Sequence, residues 1–282
     1  MQPPREVLAA FGAVSPAVRL DGGRGAAWRA DGLVLKPLDV LPAELAWLRR
    51  HAPAGSDDLR LSLPASSRTG ELVVDGWTAF PVLQGEHVAG RWAQIAGVAH
   101  CFAQSFDGAE RPPFLDERTH AWARADRLAW GEDSVEVPDD VPHLPALLAA
   151  RRGVDEPSTI VHGDLTGNVL FADGLPPAVI DLTLYWRPVR YSVAIVAVDA
   201  VCFEGAPPSL LETIDPGEGF AQHLVRALVF RIATDWFNGL LTDADEVYAA
   251  TVERVLDLAS QGRRPSGRSG VRSAPRRGCV DG

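Results

Sequence analysis

Ile160-Val-His-Gly-Asp-Leu-Thr-Gly-Asn-Val-Leu-Phe171, followed by Ala178-Val-Ile-Asp-Leu182, indicates the fold of this chain more strongly than any other part of it. Its apolar runs have the length and composition of short buried β-strands. They leave Asp164, Asn168 and Asp181 at strand ends, with a turn between the first two. Either aspartate alone is also typical of a turn cap, but the combination is far more restrictive and indicates a functional site.

Lys36 is the only lysine among 27 basic residues. It lies near the end of the short apolar run Gly32-Leu-Val-Leu-Lys-Pro37. Arginine is a planar fork and lysine a compact point charge, so a position that keeps lysine in an arginine-rich chain indicates a narrow site near phosphate oxygens. The alternative is a solvated lysine at a strand end.

The order of these motifs resembles that of small-molecule kinases of the aminoglycoside and choline phosphotransferase type. The motifs of those proteins are H-G-D-L-x-x-x-N followed by I-D, whereas the corresponding motifs of protein kinases are H-R-D-L-x-x-x-N and D-F-G. The resemblance extends from about Gly22 to Asp199. It implies an α+β, protein-kinase-like fold with two lobes, of which the N-lobe is β-rich and the C-lobe mainly helical.

The resemblance also implies roles for the motif residues. Asp164 is expected to orient a substrate hydroxyl and accept its proton, with His162 shaping the catalytic turn. Asp181 and Asn168 are expected to hold Mg²⁺, which prefers hard oxygen ligands. Lys36 is expected to contact the phosphates of ATP. The implied cofactors are therefore ATP and Mg²⁺, and the implied substrate is a small hydroxylated metabolite.

Further nucleotide contacts are expected in the N-terminal part of the chain. A Gly-rich turn is expected to lie over the phosphates, and two hinge positions to offer backbone groups to adenine. Glu44 has two interpretations: it pairs with Lys36, as in kinases, or it favours a helix N-terminus electrostatically. The glycine and hinge candidates are Gly22, Gly23, Gly25, Phe80 and Val82.

One departure from the family pattern concerns the catalytic loop, where Asn168 lies one position closer to Asp164. If the flexible Gly167 lets the loop adapt, the chain is an active phosphotransferase. If the shorter loop instead rotates the Asn168 side chain away from the metal, the alternative is favoured, namely a nucleotide-binding pseudokinase that regulates a partner protein. The acceptor is not identified, although the run Tyr185-Trp-Arg187 is a candidate for its side of the cleft.

The resemblance implies a boundary between the lobes near residue 85, and composition predicts a separate tail. Residues 1–85 are expected to form the N-lobe, residues 86–261 the helical C-lobe, and residues 262–282 a disordered basic tail with few apolar side chains. The N-terminus has no signal sequence, and no apolar run is long enough to span a bilayer. We therefore expect a cytoplasmic protein without a membrane partner.

The formal net charge of −10 is unevenly distributed. Six arginines and one acid lie after Gln261, so the rest of the chain has 21 basic and 36 acidic residues. An acidic body argues against nucleic acid as the main ligand, because phosphate contacts need clustered basic side chains. It is compatible with a cationic substrate, and equally with solubility alone. The oligomeric state is left open.

Overall fold

The computed structural model describes residues 1–20, 26–53, 57–133, 135–241 and 245–261. The helices in these ranges are α1 (Arg5–Ala10), α2 (Pro42–His51), α3 (Trp92–Gln104), α4 (Phe114–Glu117), α5 (Ala121–Trp130), α6 (Leu144–Ala150), α7 (Val189–Phe203), α8 (Leu210–Thr213), α9 (Phe220–Phe237) and α10 (Asp245–Gln261). The strands are β1 (Val18–Arg19), β2 (Trp28–Ala30), β3 (Leu33–Pro37), β4 (Arg60–Leu61), β5 (Trp77–Pro81), β6 (Thr159–His162), β7 (Val169–Ala172), β8 (Leu175–Val179) and β9 (Leu184–Arg187). None of these helices is both long and apolar enough to cross a lipid bilayer.

The N-lobe is an antiparallel sheet with the strand order β1-β2-β3-β5, and α1 shares its small apolar core. Successive side chains of a strand point to opposite faces. Along β3 this alternation puts Leu35, which is fully buried, into the core and Lys36 on the other face. Lys36 lies opposite Thr78 of β5 in the ladder. The sheet thus holds the lysine on the face that looks away from the N-lobe core.

The C-lobe is built around α7 and α9, which pack on each other and on neighbouring helices. Ten consecutive residues of α7, from Tyr191 to Ala200, are buried, which is the property of a helix at the centre of a domain. Ser192 is one of its few polar residues, and its Oγ donates to the backbone oxygen of His162 at 2.6 Å. The two-lobed α+β fold that the resemblance implied is confirmed.

Two small sheets, β6-β9 and β4-β8-β7, carry the motif residues. The chain leaves β6 through the expected catalytic loop (residues 163–168) to enter β7, and leaves β8 through a loop expected to hold the metal, the metal loop (residues 180–183), to enter β9. The Gly163 N–H donates to the Thr183 carbonyl at 2.9 Å, which joins the two loops. Antiparallel pairing of β6 with β9 therefore brings the two separate motifs together.

The expected lobe boundary at residue 85 does not capture the position of β4. This strand pairs in parallel with β8, and the Arg60 guanidinium donates to the carbonyl oxygens of Pro176 at 2.8 Å and Gln84 at 2.9 Å. Residues 60–61 are thus hydrogen-bonded into a sheet of the other lobe. A pairing between segments 116 positions apart has no local signature in sequence. The boundary itself stays a prediction.

Candidate active site

His162 lies under both loops and connects them. Its ring is buried, its Nδ1 accepts a hydrogen bond from the Asp164 backbone N–H at 3.0 Å, and its Nε2 lies 3.1 Å from the Asp181 carbonyl oxygen. Because Nδ1 accepts, the proton of the neutral ring is on Nε2, which can donate a hydrogen bond to that oxygen; the Thr183 backbone nitrogen lies 3.2 Å from the same Nε2. Burial lowers the pKa of His162 below its ordinary value, which favours the neutral form. This position fits the expected role in shaping the catalytic turn.

The shortened catalytic loop closes as a tight turn. The Asn168 N–H donates to the Leu165 carbonyl at 2.9 Å, and Gly167 has a φ of +83° at the third position, where such turns require glycine. The Asn168 side-chain nitrogen donates to the Asp164 carbonyl at 2.7 Å and lies 3.2 Å from Asp164 Oδ2. With its nitrogen engaged inside the loop, Asn168 has its amide oxygen left as a ligand. This geometry favours an adapted loop.

Lys36 of β3 and Asp181 of the loop after β8 form an ion pair, with Nζ and Oδ1 2.8 Å apart. The side chains are 25% and 62% exposed, respectively. Asp181 has a φ of +51°, a left-handed conformation that non-glycine residues rarely adopt and that is frequent at functional sites. The two residues that the sequence assigned to phosphate and metal therefore meet at one point.

The residues at this point fit a Mg²⁺ ion. Mg²⁺ is commonly held by one or two protein carboxylates together with substrate phosphates and water. Asp181 offers an exposed carboxylate, and Asn168 offers an amide oxygen. The described residues contain no cluster of three or more His, Cys, Asp or Glu side chains arranged for a metal. A Mg²⁺ ion bound at Asp181 would therefore take its other ligands from phosphate oxygens and water.

Glu44 does not pair with Lys36, so that interpretation was wrong. Its carboxylate is buried and pairs with the guanidinium of Arg118, which also donates to the Leu184 carbonyl at 2.5 Å. The alternative, a charge that favours the helix N-terminus, agrees with the position of Glu44 in the first turn of α2. The main partner is nevertheless a residue 74 positions away. The pair connects α2 to the C-lobe next to the metal loop.

The expected contacts of Phe80 and Val82 with adenine stay a prediction. Phe80 lies in β5, with its ring centroid 5.8 Å from Lys36 Nζ, so its side chain lies on the Lys36 face of the sheet. The Val82 N–H donates to the Gly32 carbonyl at 2.8 Å and is therefore not available to adenine as a donor. The expected phosphate-binding glycines Gly22, Gly23 and Gly25, like the expected disordered tail, lie outside the described residues.

A cleft of about 850 Å³ opens beside the catalytic loop. Asp164, Thr166 and Gly167 form one side, and the rest is formed by residues of α5, α7, α9 and α10 and of the segments that follow α7 and α9. The lining combines carboxylates with aromatic rings and one arginine: Trp122, Asp164, Asp199, Phe203, Glu204, Arg231, Asp235 and Tyr248. Arg231 Nη2 lies 2.8 Å from Asp164 Oδ1. Sequence reasoning missed Arg231 because a lone arginine on an amphipathic helix has no distinguishing motif.

The run Tyr185-Trp-Arg187 was expected on the acceptor side, and the structure assigns two of its members to other contacts. Arg187 donates to the carboxylates of Asp126 and Glu132, at 2.6 Å in each pair. Tyr185 is buried beneath Gly163. Tyr185 and Arg187 therefore pack behind the two loops, and neither side chain lines the cleft described above.

The buried ring of Tyr185 predicts the effect of a methyl group at Gly163. A Cβ at this position would lie 2.6 Å from Tyr185 Cδ2, closer than packed carbon atoms approach. We expect Gly163→Ala to lower the free energy of unfolding by about 1–3 kcal/mol, because the ring has to move inside a packed core. Urea denaturation measures this change. Gly153→Ala, where no atom lies within 4 Å of the added Cβ, is the matched control, and equal losses in both variants would contradict the clash.

His162 predicts a pH dependence of stability. Its folded-state pKa is lowered, so between that value and the unfolded value of about 6.5 only the unfolded chain gains a proton. The free energy of unfolding therefore falls as the pH decreases below about 6.5, by up to about 1.4 kcal/mol per pH unit, and His162 adds no slope above that pH. We expect His162→Gln to have a smaller slope between about pH 5 and pH 6.5 in urea denaturation. The buried His223, whose pKa is also lowered, is present in both proteins, so identical slopes would exclude His162 as the source.

Comparison with known proteins places this site in a family. The profile of the phosphotransferase enzyme family (APH) matches residues 29–228, which include Lys36, the catalytic loop and Asp181. Spectinomycin phosphotransferase APH(9)-Ia, in complex with ADP and spectinomycin, is similar with a TM-score of 0.56 and 12% identity, over 91% of this chain and 97% of that chain. A thermostable mutant of aminoglycoside phosphotransferase APH(4)-Ia, in ternary complex with AMP-PNP and hygromycin B, is similar with a TM-score of 0.54 and 17% sequence identity. The match covers 92% of this chain and 97% of that chain. Such identities show a shared fold alone. No curated protein sequence matches the chain.

Proposed function

The chain belongs to the phosphotransferase enzyme family, and from this premise we propose that it is an ATP- and Mg²⁺-dependent phosphotransferase acting on a hydroxyl group of a small metabolite. The observation that carries the proposal is the His162 ring, which connects the backbones of Asp164 and Asp181. Phosphoryl transfer to a hydroxyl requires a carboxylate beside the acceptor and another at the metal, held at a constant separation. One buried imidazole between the two loops supports that arrangement.

Lys36 and Asp181 serve the nucleotide side of the proposed reaction. Their ion pair is partly exposed, mainly on the Asp181 side, and solvent-exposed pairs contribute at most about 1 kcal/mol. Phosphate oxygens can therefore replace Asp181 at Lys36, and a cation can replace Lys36 at Asp181, at small cost. Mg²⁺ bound with the phosphates would neutralise charge on the transferred group. Asp181 and the amide oxygen of Asn168 are the residues proposed to hold it.

Asp164 serves the acceptor side. The acceptor oxygen forms a bond to the γ-phosphorus of ATP, the bond to the bridging oxygen breaks, ADP leaves, and Asp164 takes the hydroxyl proton. The Asp164 side chain is 46% exposed and lines the cleft, so a hydroxyl bound there can reach it. In a loose transition state the proton leaves late, which makes orientation of the hydroxyl the main contribution of this carboxylate. We propose that the cleft, whose volume is in the usual range for metabolite sites, binds the acceptor.

The test of this function uses the full chain with Mg-ATP. Isothermal titration calorimetry measures nucleotide binding with and without Mg²⁺, and ADP release is measured over a panel of amino sugars, amino alcohols and nucleosides, with water as the blank. We expect Mg²⁺-dependent binding and turnover above the blank for at least one class of acceptor. Binding without any turnover would instead support the nucleotide-binding pseudokinase. Absence of nucleotide binding would contradict both functions.

A further inference from the structure

Arg231 connects the catalytic loop to the centre of the C-lobe. It lies on α9, and its Nη2 donates to Asp164 Oδ1 at 2.8 Å. Its Nε donates to Asp199 Oδ1 at 2.7 Å, and Nη2 also contacts Asp199 Oδ2. Asp199 is a residue of α7 whose side chain is only 6% exposed. The Arg231 guanidinium therefore donates to both oxygens of the buried Asp199 carboxylate, and a further N–H donates to Asp164, the proposed base.

The burial of Asp199 explains the presence of an arginine, but it does not explain the contact with Asp164. A buried carboxylate is satisfied by one bidentate guanidinium, and Nε and Nη2 of Arg231 already supply that geometry. Asp164 is 46% exposed and has water available, so it has no need of Arg231 for solvation. The contact thus determines the direction of the Asp164 carboxylate more than it contributes to folding.

The two oxygens of Asp164 have different partners. Oδ1 accepts from Arg231 Nη2 at 2.8 Å, and Oδ2 lies 3.2 Å from Asn168 Nδ2. Each carboxylate oxygen has two lone-pair positions, so a position remains for an acceptor proton. One donor comes from the core and the other from the catalytic loop itself. Together they restrict rotation of the carboxylate and keep its remaining lone pairs towards the cleft.

We propose that Arg231 is a positioning residue for phosphoryl transfer, which orients the Asp164 carboxylate from an anchor on Asp199. This inference rests on the proposed function of the site. α7 and α9 are buried in the same core and pack on each other, so the anchor is rigid. Misplacement of a reacting group by about 1 Å costs roughly 100-fold in rate. A loop one residue shorter than the family pattern thereby obtains a second support for its aspartate.

The charge of Arg231 is constant over the pH range in which an assay is run. Burial alone would lower the pKa of the guanidinium, but Asp199 and Asp164 more than compensate, and the pKa lies above its ordinary value. Any loss of activity on replacing Arg231 should therefore be the same at all assay pH values. A pH-dependent loss would indicate a proton transfer that Arg231 itself performs.

The test compares Arg231→Met and Arg231→Lys with a control on the same helix. The control is Arg226→Met, since the buried Arg226 guanidinium donates to the Arg152 carbonyl at 2.5 Å, away from the cleft. The readouts are a crystal structure, kcat and KM for Mg-ATP hydrolysis with water as the acceptor, and recovery of Arg231→Ala by added methylguanidinium. We expect Arg231→Met to lower kcat about 100-fold with an unchanged KM for ATP, and Asp164 to leave its position beside Asn168. Arg231→Lys and methylguanidinium should restore part of the rate.

Three results would overturn the proposal: an unmoved Asp164 in Arg231→Met, an unchanged kcat in that variant, or an equal loss in Arg226→Met. If Arg231→Met fails to fold because Asp199 is left unpaired, the double variant Arg231→Met with Asp199→Leu removes the buried charge and carries the same expectations. If the wild-type protein binds no nucleotide, both the proposed function and the positioning role of Arg231 are contradicted. A wild type with turnover and an unaffected variant contradicts the role of Arg231 alone.

Discussion

Replacement of Asp164 by alanine is expected to lower kcat by about 10²- to 10⁴-fold, the range that a positioned base contributes, while the Kd for Mg-ATP changes by less than about twofold. The Asp164 carboxylate lines the proposed acceptor cleft and contacts Arg231 and Asn168, whereas Lys36 and Asp181 are proposed to serve the nucleotide. An interaction that is needed only for reaction affects kcat and not nucleotide binding. Single-turnover kinetics and calorimetry on the same preparation measure the two quantities.

The control for Asp164→Ala is Asp173→Ala, because Asp173 is exposed in the turn between β7 and β8. It removes an aspartate from the turn between the two motif segments, and Asp173 does not line the cleft. We expect that variant to keep wild-type kcat. A loss of Mg-ATP binding in Asp164→Ala equal to its loss of turnover would show that Asp164 belongs to the nucleotide site instead.

The second large effect is expected at the ion pair between the lobes. Asp181→Ala should weaken ATP binding in the presence of Mg²⁺ by about 3 kcal/mol, or roughly 100-fold in Kd, and leave the weaker metal-free binding almost unchanged. Lys36→Met should instead weaken ATP binding both with and without Mg²⁺, since Lys36 is expected to contact phosphate oxygens directly. The Mg²⁺ dependence of Kd therefore separates the metal ligand from the phosphate ligand.

Calorimetric titrations of ATP into wild type, Asp181→Ala, Lys36→Met and a control measure these affinities at several Mg²⁺ concentrations. Asp155→Ala is a suitable control because Asp155 is exposed in the segment before β6. If Asp181→Ala retains the full Mg²⁺ dependence of the wild type, Asp181 is not the metal ligand. If Lys36→Met binds ATP like the wild type, the lysine is a solvated strand-end residue, the alternative that its sequence position also allowed.

Partner choice within the site shows where sequence reasoning stopped. Glu44 was expected either to meet Lys36, eight positions away, or to serve its own helix, and it pairs with Arg118. Lys36 pairs with Asp181, although these residues are 145 positions apart. Both pairs join a helix or strand of the N-lobe to a loop of the C-lobe. The spacing of residues along the chain does not predict such contacts, because they depend on how the folded segments pack against each other.

The catalytic loop shows the opposite case. Its length and its glycine are local properties, and a turn of four residues with a positive φ at the third is what a glycine at position 167 permits. The prediction that the loop can adapt therefore needed no tertiary information. The direction of the Asn168 side-chain amide could be seen only in the tertiary structure, because its nitrogen donates to the Asp164 carbonyl and lies beside the Asp164 carboxylate.

The fold family, the strands that end at the site, and the polar residues Asp164, Asn168, Asp181 and Lys36 could all be inferred from the sequence. These properties are local, because apolar runs, turn residues and a motif spacing are contained within a few dozen positions. The contact of Asp164 with Arg231, which is anchored on Asp199, became apparent only in the folded chain. Those residues lie on two helices with no motif around them, and their contact results from the packing of α7 on α9. Hydrogen bonds between distant segments are selected by the geometry of a closed core, and no pattern along the chain encodes that geometry.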